Sequence, residues 1–246
     1  MPVIFREFDH TYWNTDTNEQ YMSVTTFIGS EEPFNQEEAI SKAVNSKNGR
    51  YKGWERERVI EEWDRIREEG TALHKAIEEY CKGKDIKDIP IEHRQAVYHF
   101  SQGKWKGQIN SEVLLWSHAL KLAGTSDIIT EQFDSNAWKR TYNIYDIKTS
   151  NDLSWKMDKY SKQQWLYAAL LEEMKREEED KDKELFREGG WDNLQPEERE
   201  IKAVGIIHYQ DYVNKPKEKP TFVPVLDKRE WVESLYKNKT LQPIEG

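Results

Sequence analysis

The sequence predicts an α/β protein with a central mixed β-sheet flanked by helices. Three observations carry that prediction. The hydrophobic period is helical before residue 110 and alternating after it. The order that results is helices, three strands, a long helix, then more strands. Aromatic residues make up 12% of the chain, so a packed core is expected despite 34% charged residues.

Residues 3–27 read as a β-hairpin: VIFREFDHTYW and EQYMSVTTFI are rich in β-formers, and NTDTN between them is turn chemistry. EEPFNQEEAISKAVNSKNG starts acidic and contains a proline, as a first helix does. In residues 54–82 Val59, Ile60, Trp63 and Ile66 recur at steps suited to a helix. Gly70 is expected to break that stretch in two, with Thr71 capping the second helix and Leu73, Ile77 and Tyr80 forming its apolar stripe. A shorter helix follows Pro90. SEVLLWSHAL, AGTSDIIT and TYNIYDIKTS read as three successive strands, with FDSNAWKR turning into the third. Residues 156–188 return to helix, apolar at Trp165, Leu166, Ala169 and Leu170 and then almost wholly charged, as a solvated face is. EGGWDNLQPEE is expected to be loop, IKAVGIIHYQDYV and TFVPVLD a late strand pair, and DKREWVESLYKNK a closing helix. The whole reads as one domain: hairpin over 1–30, helical region over 31–110, and core sheet with helices over 111–246.

The bulk numbers exclude several classes. A net charge of −9 argues against an all-over basic nucleic-acid binder but leaves room for a local basic groove. One cysteine, Cys81, rules out an internal disulfide and a four-cysteine zinc or iron–sulfur site, and fits a reduced, cytoplasmic setting. The amino-terminal residues carry no apolar run like a secretory signal, and no stretch is long enough to span a membrane. There is no Gly-rich phosphate cradle, nucleotide-motor motif or nucleophile elbow.

The stretch YDIKTS puts opposite charges, Asp146 and Lys148, on one face of a strand, with Ile147 turned the other way. Asp127 lies on the strand before it. Neighbouring strands run about 4.8 Å apart, so two carboxylates can converge on one small cation. Mg²⁺ or Mn²⁺ suits such oxygen ligands, and an ammonium beside it can orient a water and offset charge on phosphate. An ordinary cross-strand salt bridge among the same three residues is the alternative, worth ~0–1 kcal/mol if exposed. His74 and Glu78 stand one turn apart on a helix, Glu112 opens the first core strand, and Gln163 and Tyr167 are spaced i, i+4.

In this order, GTALH, a Glu-bearing strand, GTSD, YDIKTS and QQWLY, the chain resembles the RecB-type, phage exonuclease-like branch of the PD-(D/E)XK nucleases over roughly residues 70–170. The early HTYW…SVTTFI is similar to the leader of phage-type members and of the mitochondrial genome maintenance exonuclease. The resemblance implies a restriction-endonuclease-like core and a Mg²⁺- or Mn²⁺-dependent DNA exonuclease acting in recombination, repair or replication. It assigns Asp127, Asp146, Glu112, His74 and the carbonyl of Ile147 to the metal, and Lys148 to catalysis. Gln163 and Tyr167 are assigned to the DNA strand. Ser126 stands where many members have proline, and the cysteine-rich iron–sulfur subtype is excluded. The implied partners are single-stranded or end-containing duplex DNA and a single-strand annealing or replication protein, in a bacterial or phage-infected cytoplasm, with oligomeric state open. A non-catalytic DNA-binding or protein-interaction module and a structure-specific endonuclease are the competing readings.

Lys104, Lys106, Lys156, Lys159 and Lys162 can line a phosphate track or simply be solvated. Tyr12, Trp13 and Trp155 are candidates for stacking on bases, whereas Trp54, Trp63, Trp105, Trp116 and Trp165 are expected in the core. His93, His99, His118 and His208 have no metal spacing and read as structural or exposed.

Overall fold

The computed structural model describes residues 2–31, 33–47, 49–188 and 198–238, with backbone alone for 184–188. The loop expected over EGGWDNLQPEE lies largely outside the described residues.

An antiparallel meander comes first: β1 (Val3–Arg6), β2 (Thr11–Asn14) and β3 (Glu19–Ser23). The expected hairpin is thus divided. Its first arm turns back on itself at His10, whose φ is 52°, with Asp9 accepting the Thr11 N–H. Its second arm ends at Ser23, after which α1 (Val24–Glu31) begins. Ser23 Oγ accepts the Thr26 N–H at 2.9 Å, an N-terminal cap, and Val24, Phe27 and Ile28 bury one helical face.

In α2 (Gln36–Asn45) Asn35 caps by accepting the Glu38 N–H. The helix α3 (Arg56–Cys81) runs unbroken for 26 residues, so Gly70 does not divide it. Thr71 caps nothing and donates back to the Arg67 carbonyl. The short α4 (Arg94–Ser101) follows Pro90 as expected.

The core strands are β4 (Gln108–Ser117), β5 (Leu122–Asp134) and β6 (Lys139–Lys148). Then come α5 (Met157–Glu188), β7 (Glu198–His208), β8 (Thr221–Pro224) and α6 (Arg229–Asn238). Among the described residues they form one mixed eight-stranded sheet in the order β1-β2-β3-β5-β6-β7-β8, with β4 pairing β5. The β3–β5 and β6–β7 pairs are parallel, and the others are antiparallel.

Helices cover the sheet on both faces. Leu115, Ile129, Ile144, Leu166 and Leu170 pack in one cluster with residues of α1 and α6. Leu73, Ile77, Val97, Phe100, Ile128 and Ile147 pack in the other, beneath α3 and α4. Strand alternation divides Ile128 from Ile129 in this way. Burying each such side chain fully is worth about 1.5–3 kcal/mol. No helix is long and apolar enough to cross a membrane among the described residues.

Candidate functional site

Register places the acids. Ser111 pairs Ile128 and Val113 pairs Ser126, so Glu112 stands directly across from Asp127. On the other side the paired register ends at Ile128 with Tyr145, and Asp127 and Asp146 are the next positions along their two strands. Glu112, Asp127 and Asp146 therefore form one row across three strands, and residues directly opposite share a face. The ladder is interrupted at this row on both sides. Glu112 has a φ of 49°, a left-handed backbone that costs energy in a residue with a Cβ and re-aims its side chain. The β5–β6 pairing stops at Tyr145, and the Ile147 N–H instead donates to Asp127 Oδ2 at 2.7 Å. One residue earlier, β7 carries an extra residue, Val204, opposite the Ile144–Tyr145 step, a bulge in β7 that shifts its register against β6.

Helix α3 brings the histidine. A Cβ on Gly70 would lie 2.8 Å from Thr149 Oγ1, so only glycine lets the helix pass this close to the end of β6. One turn on, His74 Nδ1 lies 3.5 Å from Asp127 Oδ1. Ligand atoms of His74, Glu112 and Asp127 all lie within 4.8 Å of one another, a set able to hold a cation. Asp146 was expected to share that cation directly with Asp127. Asp146 lies outside that set of three; the residue is 2% exposed and its Oδ2 lies 2.5 Å from Lys148 Nζ. Glu78, one turn beyond His74, pairs with Lys82.

The charges are strongly coupled. For Asp127 burial disfavours the anion, but the His74 imidazole, Lys148 and the Ile147 N–H outweigh it and hold the carboxyl well below the usual range. For Asp146 burial raises the pKa; Lys148 opposes, Asp127 adds, and the net shift is upward. Burial would neutralise Lys148, yet Asp146 and Asp127 raise its pKa and keep it an ammonium. Burial likewise opposes a charged His74, and Asp127 overcomes it. Glu112 lies at the solvent-facing end of the row. Removal of water by the surrounding chain, then the Asp127 charge, push its carboxyl up to about 7.

The helix after β6 supplies the rim. Tyr167 was expected to contact a DNA strand, but it is 2% exposed, with its ring against Gly124. Its hydroxyl accepts from Gln163 Nε2 at 3.2 Å, so its place is to orient that amide. Lys162 is tied to Glu31 at 2.9 Å and Asp158 at 3.3 Å and is not a free cation. Lys156 sits 4.4 Å over the ring of Trp155, which is 68% exposed. Burial, then Lys159 and Lys148, lower the Lys156 pKa. Tyr12 is buried, its hydroxyl 3.4 Å from Thr125 Oγ1, and offers no stacking face. His93 bonds Tyr212 and His208 bonds the Ser150 carbonyl, both structural.

Sequence reading missed Tyr160, whose ring lies 5.1 Å from Lys148 Nζ. The signal was present: Tyr160, Gln163 and Tyr167 are spaced i, i+3 and i+7 on one helical face. It also missed the contact of Gly70 with Thr149, which no local pattern encodes.

The chain matches none of the protein-family models, curated proteins or solved structures with which it was compared.

Proposed function

We propose that this protein is a divalent-metal-dependent deoxyribonuclease that hydrolyses DNA phosphodiester bonds, most simply as an exonuclease of recombination, repair or replication. The observation that carries the reading is the row Glu112–Asp127–Asp146, closed by His74 on one side and Lys148 on the other. His74, Glu112 and Asp127 fit Mg²⁺ or Mn²⁺ in donor type and mutual distance; the imidazole favours Mn²⁺. When bound, such a cation polarises phosphoryl oxygens and stabilises the charge that builds on them.

The chain's own groups divide the remaining work. Lys148 acts as a positive charge and donor at the phosphate and positions the attacking water. Asp146 holds that ammonium in place. Gln163, steadied by Tyr167, offers its amide to a phosphate or base. Lys156 and Lys159 supply positive charge for the strand, and Trp155 a ring on which a base can stack. The exonuclease assignment, the cytoplasmic setting of a bacterial or phage-infected cell, and an annealing or replication protein as partner rest on the motif order alone.

The test is digestion of end-labelled single- and double-stranded DNA with Mg²⁺, Mn²⁺ or EDTA, comparing wild type with Asp127→Asn. Metal-dependent cleavage of linear DNA that Asp127→Asn abolishes is expected. Covalently closed circles should survive; their cleavage would mark an endonuclease. A wild type no more active than Asp127→Asn with either cation overturns the proposal.

A further inference from the structure

On the opposite face of β6 from Asp146, a groove of about 610 Å³ opens between the end of α4 and β8. Its walls carry Tyr98, Lys104, Trp105, Tyr145, Lys219 and Phe222. Tyr98 is 48% and Phe222 54% exposed, so both rings are open to solvent at the groove. The rings are preset rather than loose. Phe100 and Trp105 lie 4.7 Å apart, Trp105 and Tyr145 meet edge-to-face at 5.3 Å, and Tyr145 and Phe222 at 6.2 Å. Trp105 Nε1 donates to the Phe100 carbonyl, and Phe222 lies against Gly205, where a Cβ would be 2.5 Å from the ring.

The charge of this groove is opposite to that of the chain. The molecule carries −9, yet no Asp or Glu lines the groove. Neither Lys104 nor Lys219 has an acidic partner among the described residues. Glu218, the nearest acid in sequence to Lys219, is paired with Lys215. Fixed flat rings interleaved with unpaired ammonium groups match a ligand with repeating phosphates and unpaired bases.

We infer that this groove binds single-stranded nucleic acid, as a second contact apart from the hydrolytic site. Tyr145 and Asp146 are adjacent in β6, so the groove and the carboxylate row stand back to back through one strand. The inference deepens the nuclease reading by giving it a holding site for an unpaired strand, but binding here requires no hydrolysis.

The experiment is done in EDTA, where no cleavage confuses binding. Fluorescence anisotropy with a labelled oligo(dT) of about twenty nucleotides is measured for wild type, Phe222→Ala, Tyr98→Ala and Lys104→Ala/Lys219→Ala over a salt series, with circular dichroism as the folding control. Each ring substitution should weaken binding about tenfold. The double lysine variant should lower the slope of log affinity against log salt by about 1.4, ~0.7 for each lysine. Photocrosslinking with an iododeoxyuridine oligonucleotide should label peptides spanning 98–105 and 219–222. Wild-type affinity and slope in all the folded variants, or crosslinks only beside Trp155 and Lys148, overturn the groove and leave the nuclease reading standing. Crosslinks in the groove from a wild type that cuts nothing with Mg²⁺ or Mn²⁺ support the groove and remove the nuclease.

Discussion

Replacing Gly70 with alanine should separate stability from activity. A Cβ at this position lies 2.8 Å from Thr149 Oγ1, and 3.8 and 3.9 Å from Thr149 Cβ and Cγ2. Ordinary contact between such atoms is about 3.5 Å, so α3 or the end of β6 must yield by roughly 0.7 Å. Within a helix, Gly to Ala returns ~1 kcal/mol of propensity. Overpacking of this kind costs ~1–3 kcal/mol. The net effect is therefore ~0–2 kcal/mol of destabilisation, a few degrees in Tm for a chain of this length. The displacement falls one turn from His74 and one residue from Lys148, and a misplacement of ~1 Å can cost ~100-fold in rate. We expect Gly70→Ala to cleave about tenfold more slowly with Tm lowered by no more than a few degrees. Thr149→Ala introduced into that variant removes the atoms in conflict and should recover most of the loss, judged against Thr149→Ala alone. Circular dichroism melts and single-turnover cleavage of labelled DNA give the two readouts. Wild-type cleavage by Gly70→Ala, or no recovery in the double variant, would refute this account of the glycine.

Removing the ammonium with Lys148→Met should slow cleavage by ~10²–10³-fold while Mn²⁺ still binds, which electron paramagnetic resonance can count. Loss of His74 through His74→Ala should weaken Mn²⁺ binding more than Mg²⁺ binding, because imidazole suits the softer ion; equal losses in titration calorimetry would contradict its place as a ligand. Tyr167→Phe keeps the packing on Gly124 and deletes the hydroxyl under Gln163, so it should cost no more than ~1.5 kcal/mol of stability. Its effect on DNA affinity should not add to that of Gln163→Ala; full additivity would mean the two act separately. Burial pushes the Cys81 thiol up to about 11. At pH 8 its thiolate is then roughly two orders of magnitude scarcer than that of a free cysteine, so alkylation by iodoacetamide should be slow and rise about tenfold per pH unit towards 11. Rapid labelling at pH 8 in the folded protein would show the thiol is not shielded.

The parts of the fold legible in the sequence are those that depend on near neighbours. The change from helical to alternating period located β4, β5 and β6, and Asp134 to Trp138 turned where turn residues stood. Val24, Thr25 and Thr26 misled because β-branched residues favour strands. The cap from Ser23 and the buried stripe Val24, Phe27 and Ile28 decide for helix instead. Gly70 misled for another reason: its cost within α3 is offset by a tertiary contact with Thr149 that lies 79 positions away in sequence. In the site, Asp146 and Lys148 declared themselves by sharing a strand face. The alignment of Glu112 with Asp127 needs a register across two strands, which composition does not encode. Gln163 and Tyr167 were legible as a pair, but not which of them faces outward.

The continuity of α3 also bears on how the molecule can move. A helix of 26 residues is a rod of ~39 Å, and His74 rides on it in the same rigid piece as Arg56 and Trp63. The outer half cannot swing as a hinged flap while the imidazole stays in place. If the proposed nuclease reading holds, any tilt of that rod on binding a strand is levered directly onto the His74–Asp127 pair, so admission of the strand and alignment of the chemistry would be a single mechanical event.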